Sequence, residues 1–188
     1  MVLISIPDNG RDVPPRERIR RQREAAARAL NESARLSALP QLTWERDAAG
    51  VPVFDRGVCW SLSHKPSIVA GVVSAEPVGV DVEVVAPRND GLWDYVASPE
   101  EQERAGARDW PMFFRFWTAK EAVLKAHRVG LSRLDDCRII EGPHPDRALQ
   151  TFAGRPLTVT YFQSGDVMAA VTVEPGSVQW HVMPAWSG

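Results

Sequence analysis

Three closely spaced stretches are rich in valine and other apolar residues, 58–63, 68–74 and 78–85, with apolar–polar alternation clear in Val80-Asp81-Val82-Glu83-Val84, and they predict three strands. The connections His64-Lys65-Pro66-Ser67 and Ala75-Glu76-Pro77 are short, which favours antiparallel neighbours. The tail repeats the theme at 157–162, 167–173 and 178–183, with Gln163-Ser164-Gly165-Asp166 as a turn. Helical sequence precedes each trio. Residues 14–36 interleave Arg16, Arg18, Arg20, Arg21, Arg23, Arg28 and Arg35 with alanines and Leu30 after Pro14-Pro15, predicting a helix with one basic face. That face is either solvated or built to receive phosphates. Ser98-Pro99-Glu100-Glu101 reads as a helix start. A further helix is predicted over 111–127, with Phe113, Phe114, Phe116, Trp117, Val123 and Leu124 apolar, ending near Gly130. Between the first helix and the first strands, the turn formers of 47–57 mark loops. The chain thus reads as α+β, with two similar α/β halves of one helix and about three antiparallel strands each, divided as 1–86 and 87–188. A ligand cleft is expected between the halves.

Composition narrows the class. With 188 residues, 44% hydrophobic and 24% charged, the chain suits one or two cored domains. A net charge of −2 argues against a strongly basic nucleic-acid binder. No run approaches the roughly 18 apolar residues of a membrane span, and Met1-Val2-Leu3-Ile4-Ser5-Ile6 soon meets Asp8 and arginines, unlike a secretory signal. A cytoplasmic protein with no membrane partner is expected. Cys59 and Cys137 have neither disulfide nor metal-ligand spacing and read as isolated, half-buried thiols. Of 22 basic residues only three are lysines, Lys65, Lys120 and Lys125.

Those lysines coincide with the candidate chemistry. In Gly79-Val80-Asp81-Val82-Glu83 the two carboxylates sit at i and i+2 of a strand and project from one face. Their repulsion is removed by a hard cation such as Mg²⁺, which takes oxygen ligands, or else by solvent at an exposed edge. In Trp117-Thr118-Ala119-Lys120-Glu121-Ala122-Val123-Leu124-Lys125, Glu121 and Lys125 share a helix face. A third carboxylate with flanking ammonium groups, facing the acidic strand, would make a metal-and-phosphate site. The turn Ser63-His64-Lys65 offers hydroxyl, imidazole and ammonium donors to a phosphate. A catalytic Ser-His pair competes with that reading, but adjacent strand residues point to opposite faces. His127, His144 and His181 are isolated.

The order Ser61-Leu62-Ser63-His64, Gly79-Val80-Asp81-Val82-Glu83 and Phe116-Trp117-Thr118-Ala119-Lys120-Glu121-Ala122-Val123-Leu124-Lys125-Ala126, followed by Gly130-Leu131, resembles the 4′-phosphopantetheinyl transferase superfamily over about residues 50–175. The likeness is to its larger class, in which one chain forms an intramolecular pseudo-dimer. It implies transfer of the phosphopantetheine arm of coenzyme A to a serine of an apo acyl or peptidyl carrier protein, with Mg²⁺, releasing 3′,5′-ADP. By match to the motif, Asp81, Glu83 and Glu121 would hold the metal, and Glu121 would also take the serine proton. Lys125 would contact the pyrophosphate, Lys120 would support the same charge cluster, and Ser63 and His64 would contact the 3′-phosphate. Three departures bear on coenzyme binding. Val51 stands where the family has lysine, and Lys65 stands where it often has serine and returns a positive charge. The basic segment before the first helix is largely missing, so Arg20 or Arg21 is expected to serve the 3′-phosphate. A pseudo-dimer within one chain needs no second copy, so a monomer is expected. Two alternatives remain: a non-catalytic module binding coenzyme A or a carrier protein, and a metal nuclease. The nuclease is disfavoured by the lack of a lysine two residues after Glu83 and by the negative charge.

Overall fold

The computed structural model describes residues 2–5, 13–141, 144–174 and 176–184. Strand β1 spans Val2–Ser5, helix α1 Pro15–Leu36, and strands β2, β3 and β4 span Cys59–Lys65, Ile68–Ser74 and Val80–Val84. Helices α2, α3 and α4 cover Gly91–Val96, Pro99–Ala105 and Trp110–Ala126. A 3₁₀ turn at Leu131–Asp136 leads to β5 (Cys137–Ile139), β6 (Arg147–Phe152), β7 (Arg155–Ser164), β8 (Val167–Val171) and β9 (His181–Met183). The fold is α+β. No helix among the described residues is long and apolar enough to cross a membrane.

Strand pairing departs from the expected halves. One sheet has the order β2-β3-β1-β9 and the other β4-β8-β7-β6-β5. The 78–85 strand therefore does not pair with its two predecessors: β4 lies antiparallel to β8, with Asp81 opposite Ala170 and Glu83 opposite Met168. In return, β9 from the tail joins the first sheet, parallel to β1. The 86/87 division thus leaves one strand of each half in the other half's sheet. Strands β1, β5 and β6 and helix α2 were not expected. β5 is three residues long, and β6 (Arg147-Ala148-Leu149-Gln150-Thr151-Phe152) carries polar residues on both faces.

The edges of the two sheets meet where β4 runs beside β2. Serine hydroxyls bridge them: the Val80 N–H donates to Ser61 Oγ at 3.1 Å, and Ser63 Oγ donates to Asp81 Oδ1 at 2.7 Å. Val80 and Val82 then bury between the sheets with Ala70, Val72, Ala169 and Val171, while Asp81 and Glu83 point the other way. Each sheet carries one long helix over a glycine. A Cβ on Gly71 would lie 2.9 Å from Ala29 Cβ of α1, and one on Gly79 would lie 1.8 Å from the Ala122 carbonyl oxygen of α4. α4 therefore rests directly on the backbone leading into β4.

Candidate active site

The start of α3 at Ser98 was legible in the sequence, whereas the Asp109 cap of α4 was not singled out. Ser98 forms a capping box with Glu101 at the start of α3, and the Asp109 side chain accepts from the Met112 N–H at the start of α4. On α4, Trp117, Glu121 and Lys125 recur at four-residue spacing and face Asp81 and Glu83 of β4. Together with α1 and the end of β2, these walls enclose a cleft of about 620 Å³. That size suits a cofactor-like ligand.

Seven expected residues line this cleft: Ser63, His64 and Lys65 from β2, Asp81 and Glu83 from β4, and Glu121 and Lys125 from α4. Asp81 Oδ1 accepts from both Ser63 Oγ and Lys125 Nζ, the latter at 2.6 Å. Its other oxygen, Oδ2, is buried without a hydrogen-bond partner. Glu83 Oε1 accepts from Lys65 Nζ at 2.6 Å and from Trp117 Nε1 at 2.9 Å. Glu121 Oε2 lies 3.9 Å from Lys125 Nζ. Burial pushes the Glu83 carboxyl above its ordinary range; the Lys65 bond opposes this and the Asp81 charge adds to it. Glu121 is raised for the same first reason, against Lys125 and with help from Asp81. Burial and then the Lys125, Lys65 and Arg46 charges lower His64, so its imidazole is neutral near pH 7.

Three expected phosphate ligands lie elsewhere. Lys120 is 1% exposed and turned away from the cleft, donating to Glu101 Oε2 at 2.8 Å and to the Val96 carbonyl at 2.7 Å. The other Glu101 oxygen accepts from the Ile139 N–H. Lys120 is therefore an internal tie between α2, α3, α4 and β5, and its placement in the charge cluster is corrected. One residue along a helix is a turn of about 100°, which puts Lys120 among Phe113, Phe116, Val123 and Leu124 rather than beside Glu121. Arg20 is engaged with Glu17 and Glu24, and Arg21 with Glu17. Neither lines the cleft, whereas Arg23 does. Helical spacing was the missed signal, because Arg23 shares a face with Ile19 and Ala26, which also line the cleft. Arg46, which no sequence pattern singles out, enters from the 46–52 bridge and stacks over Trp60. Trp117, read as apolar, contributes its indole N–H. Cys59 and Cys137 are free and fully buried rather than half-buried, and burial pushes the Cys137 thiol up to about 12.

Among the described residues no group of three or more His, Cys, Asp or Glu side chains is already gathered for a metal ion. The donor set nevertheless fits a hard cation: three carboxylates, two from β4 and one from α4, line the same cleft, and Asp81 Oδ2 is an orphaned acceptor.

The sequence model of the 4′-phosphopantetheinyl transferase superfamily matches residues 77–173, a segment that includes Asp81, Glu83, Glu121 and Lys125. The chain belongs to this superfamily. Its similarity to 4′-phosphopantetheinyl transferase AcpT of Escherichia coli (strain K12) is 36% identity over 115 residues, 56% of this chain and 57% of that protein. With 4′-phosphopantetheinyl transferase HetI of Nostoc sp. (strain PCC 7120 / SAG 25.82 / UTEX 2576) it shares 28% over 123 residues, 59% of this chain and 52% of the relative. With 4′-phosphopantetheinyl transferase psf-1 of Bacillus pumilus it shares 31% over 109 residues, 50% and 44% respectively. The chain thus spans about half the length of these curated relatives. As a superfamily member, it has its acidic residues and Lys125 inside the matched segment, while Ser63, His64 and Lys65 lie before it.

Proposed function

We propose that this chain is a Mg²⁺-dependent 4′-phosphopantetheinyl transferase. It would move the phosphopantetheine arm of coenzyme A to a serine of an apo acyl or peptidyl carrier protein of fatty-acid, polyketide or peptide synthesis. The observation that carries the reading is that Asp81, Glu83 and Glu121 line one cleft with Lys65 and Lys125, inside or beside the family-matched segment. Asp81, Glu83 and Glu121 are the residues that would hold the cation. When bound, it supplies charge neutralisation at the pyrophosphate and relieves the repulsion among the acids. Glu121 takes the proton of the carrier serine, a task suited to a carboxylate raised by burial. The serine oxygen forms a bond to the pantetheine-side phosphorus, the bond from that phosphorus to the bridging oxygen breaks, and the electron pair leaves with 3′,5′-ADP. Lys125 neutralises charge on the phosphates as it grows, and Ser63, His64 and Arg23 hold the nucleotide end.

The same reading treats the two helix-on-sheet units as halves of an intramolecular pseudo-dimer acting as a cytoplasmic monomer, with the cleft at their junction. Incubation with coenzyme A, Mg²⁺ and a panel of apo carrier proteins tests the activity by mass spectrometry. At least one carrier gains the arm, and Glu121→Gln or Asp81→Asn lowers the rate about a thousandfold with the fold intact. Failure of every acyl and peptidyl carrier, with tight coenzyme binding retained, would identify a binding module instead.

A further inference from the structure

Lys65 is the cleft cation whose position the reaction explains least. Its ammonium lies on the Glu83 carboxylate at 2.6 Å, and among the described residues it pairs with no other acid. The partners differ in exposure and anchoring: the Glu83 side chain is 7% exposed and held by Trp117, whereas the Lys65 side chain is 34% exposed. The Lys65 backbone is anchored separately. Gln22 donates to its carbonyl at 3.2 Å, and Lys65 faces Ile68 across the β2–β3 turn. The ammonium can therefore leave Glu83 without moving the strand. Lys125 relates differently to its acids, because it has two within reach, Asp81 at 2.6 Å and Glu121 at 3.9 Å, whereas Lys65 has one.

We propose that Lys65 is a built-in counter-ion that competes with the divalent cation for Glu83 and passes to the phosphates of coenzyme A when both ligands bind. This rests on the metal and coenzyme reading above and adds a coupling between the two ligands. A second positive charge within about 4 Å of the ammonium is repelled, so Glu83 serves a cation only after Lys65 has let go. In the empty cleft the released ammonium has only solvent to pair with. With a phosphate present, it exchanges one anion for another. Each ligand therefore strengthens the other by the same factor, as linkage requires.

Titration calorimetry of Mg²⁺ alone, and of Mg²⁺ with saturating coenzyme A, decides the matter for the wild type, Lys65→Met and Lys65→Arg. Expected for Lys65→Met is Mg²⁺ affinity without coenzyme about tenfold above wild type, and a coupling factor smaller by the same amount. Lys65→Arg keeps the charge and stays close to wild type. Equal or weaker Mg²⁺ binding by Lys65→Met would overturn the proposal while leaving the transferase reading standing. Absence of Mg²⁺ binding by every protein under both conditions would overturn both.

Discussion

Helix α1 buries four of its 22 residues, Ala29, Leu30, Ser33 and Ala34, whereas α4 buries ten of 17. Both cross a sheet over a glycine, yet α4 is packed on every face except the one that opens onto the cleft. Of the arginines of α1, Arg20, Arg21 and Arg35 are engaged with glutamates of the same helix, and Arg23 is the one that lines the cleft. α4 carries the acid and the ammonium that must sit within ångströms of β4, so its position is locked by packing and by a buried ion pair. A group that only attracts phosphate tolerates a mobile scaffold; a proton acceptor does not.

The sharpest way to break this contrast is at the two glycines. Gly79→Ala drives a Cβ into the α4 backbone and is expected to lower unfolding free energy by about 4 kcal/mol or more. Gly71→Ala meets a methyl group first and costs about 2 kcal/mol. Equal losses in urea unfolding would show that the two helices are seated with the same rigidity. The two lysines of α4 give the next effect. Lys120→Met strands the Glu101 carboxylate in the core and costs about 3 kcal/mol of stability, whereas Lys125→Met spares stability and lowers transfer. Loss of transfer at full stability in Lys120→Met would return that lysine to the phosphate site. The smallest effect separates the arginines of α1: Arg23→Ala raises the KM for coenzyme A about tenfold, and Arg20→Ala leaves it within about twofold. Equal effects would mean that the basic face acts as a diffuse field.

How much of the site was legible follows from the range of each signal. Alternation along 80–84 fixed that Asp81 and Glu83 share a face, and the four-residue spacing of Trp117, Glu121 and Lys125 fixed a second face. Both are properties of a single element. The same periodicity separates Lys120 from Glu121, so position on the helix and not charge type decides which lysine reaches the cleft. The pairing of β4 with β8 had no local signature, because a strand shows the same alternation whichever neighbour it takes.

By itself, the sequence determined helices α1, α3 and α4, most strands, the faces that carry Asp81, Glu83, Glu121 and Lys125, and the family resemblance, since each follows from local periodicity, capping or motif order. Only the tertiary structure decided that β4 and β9 exchange sheets, that Ser61 and Ser63 bridge the two edges, and that Lys65 rests on Glu83. Those outcomes depend on which unpaired edges and charges meet once the core between the sheets is buried, and residues far apart in the chain have no other way to encode their distance.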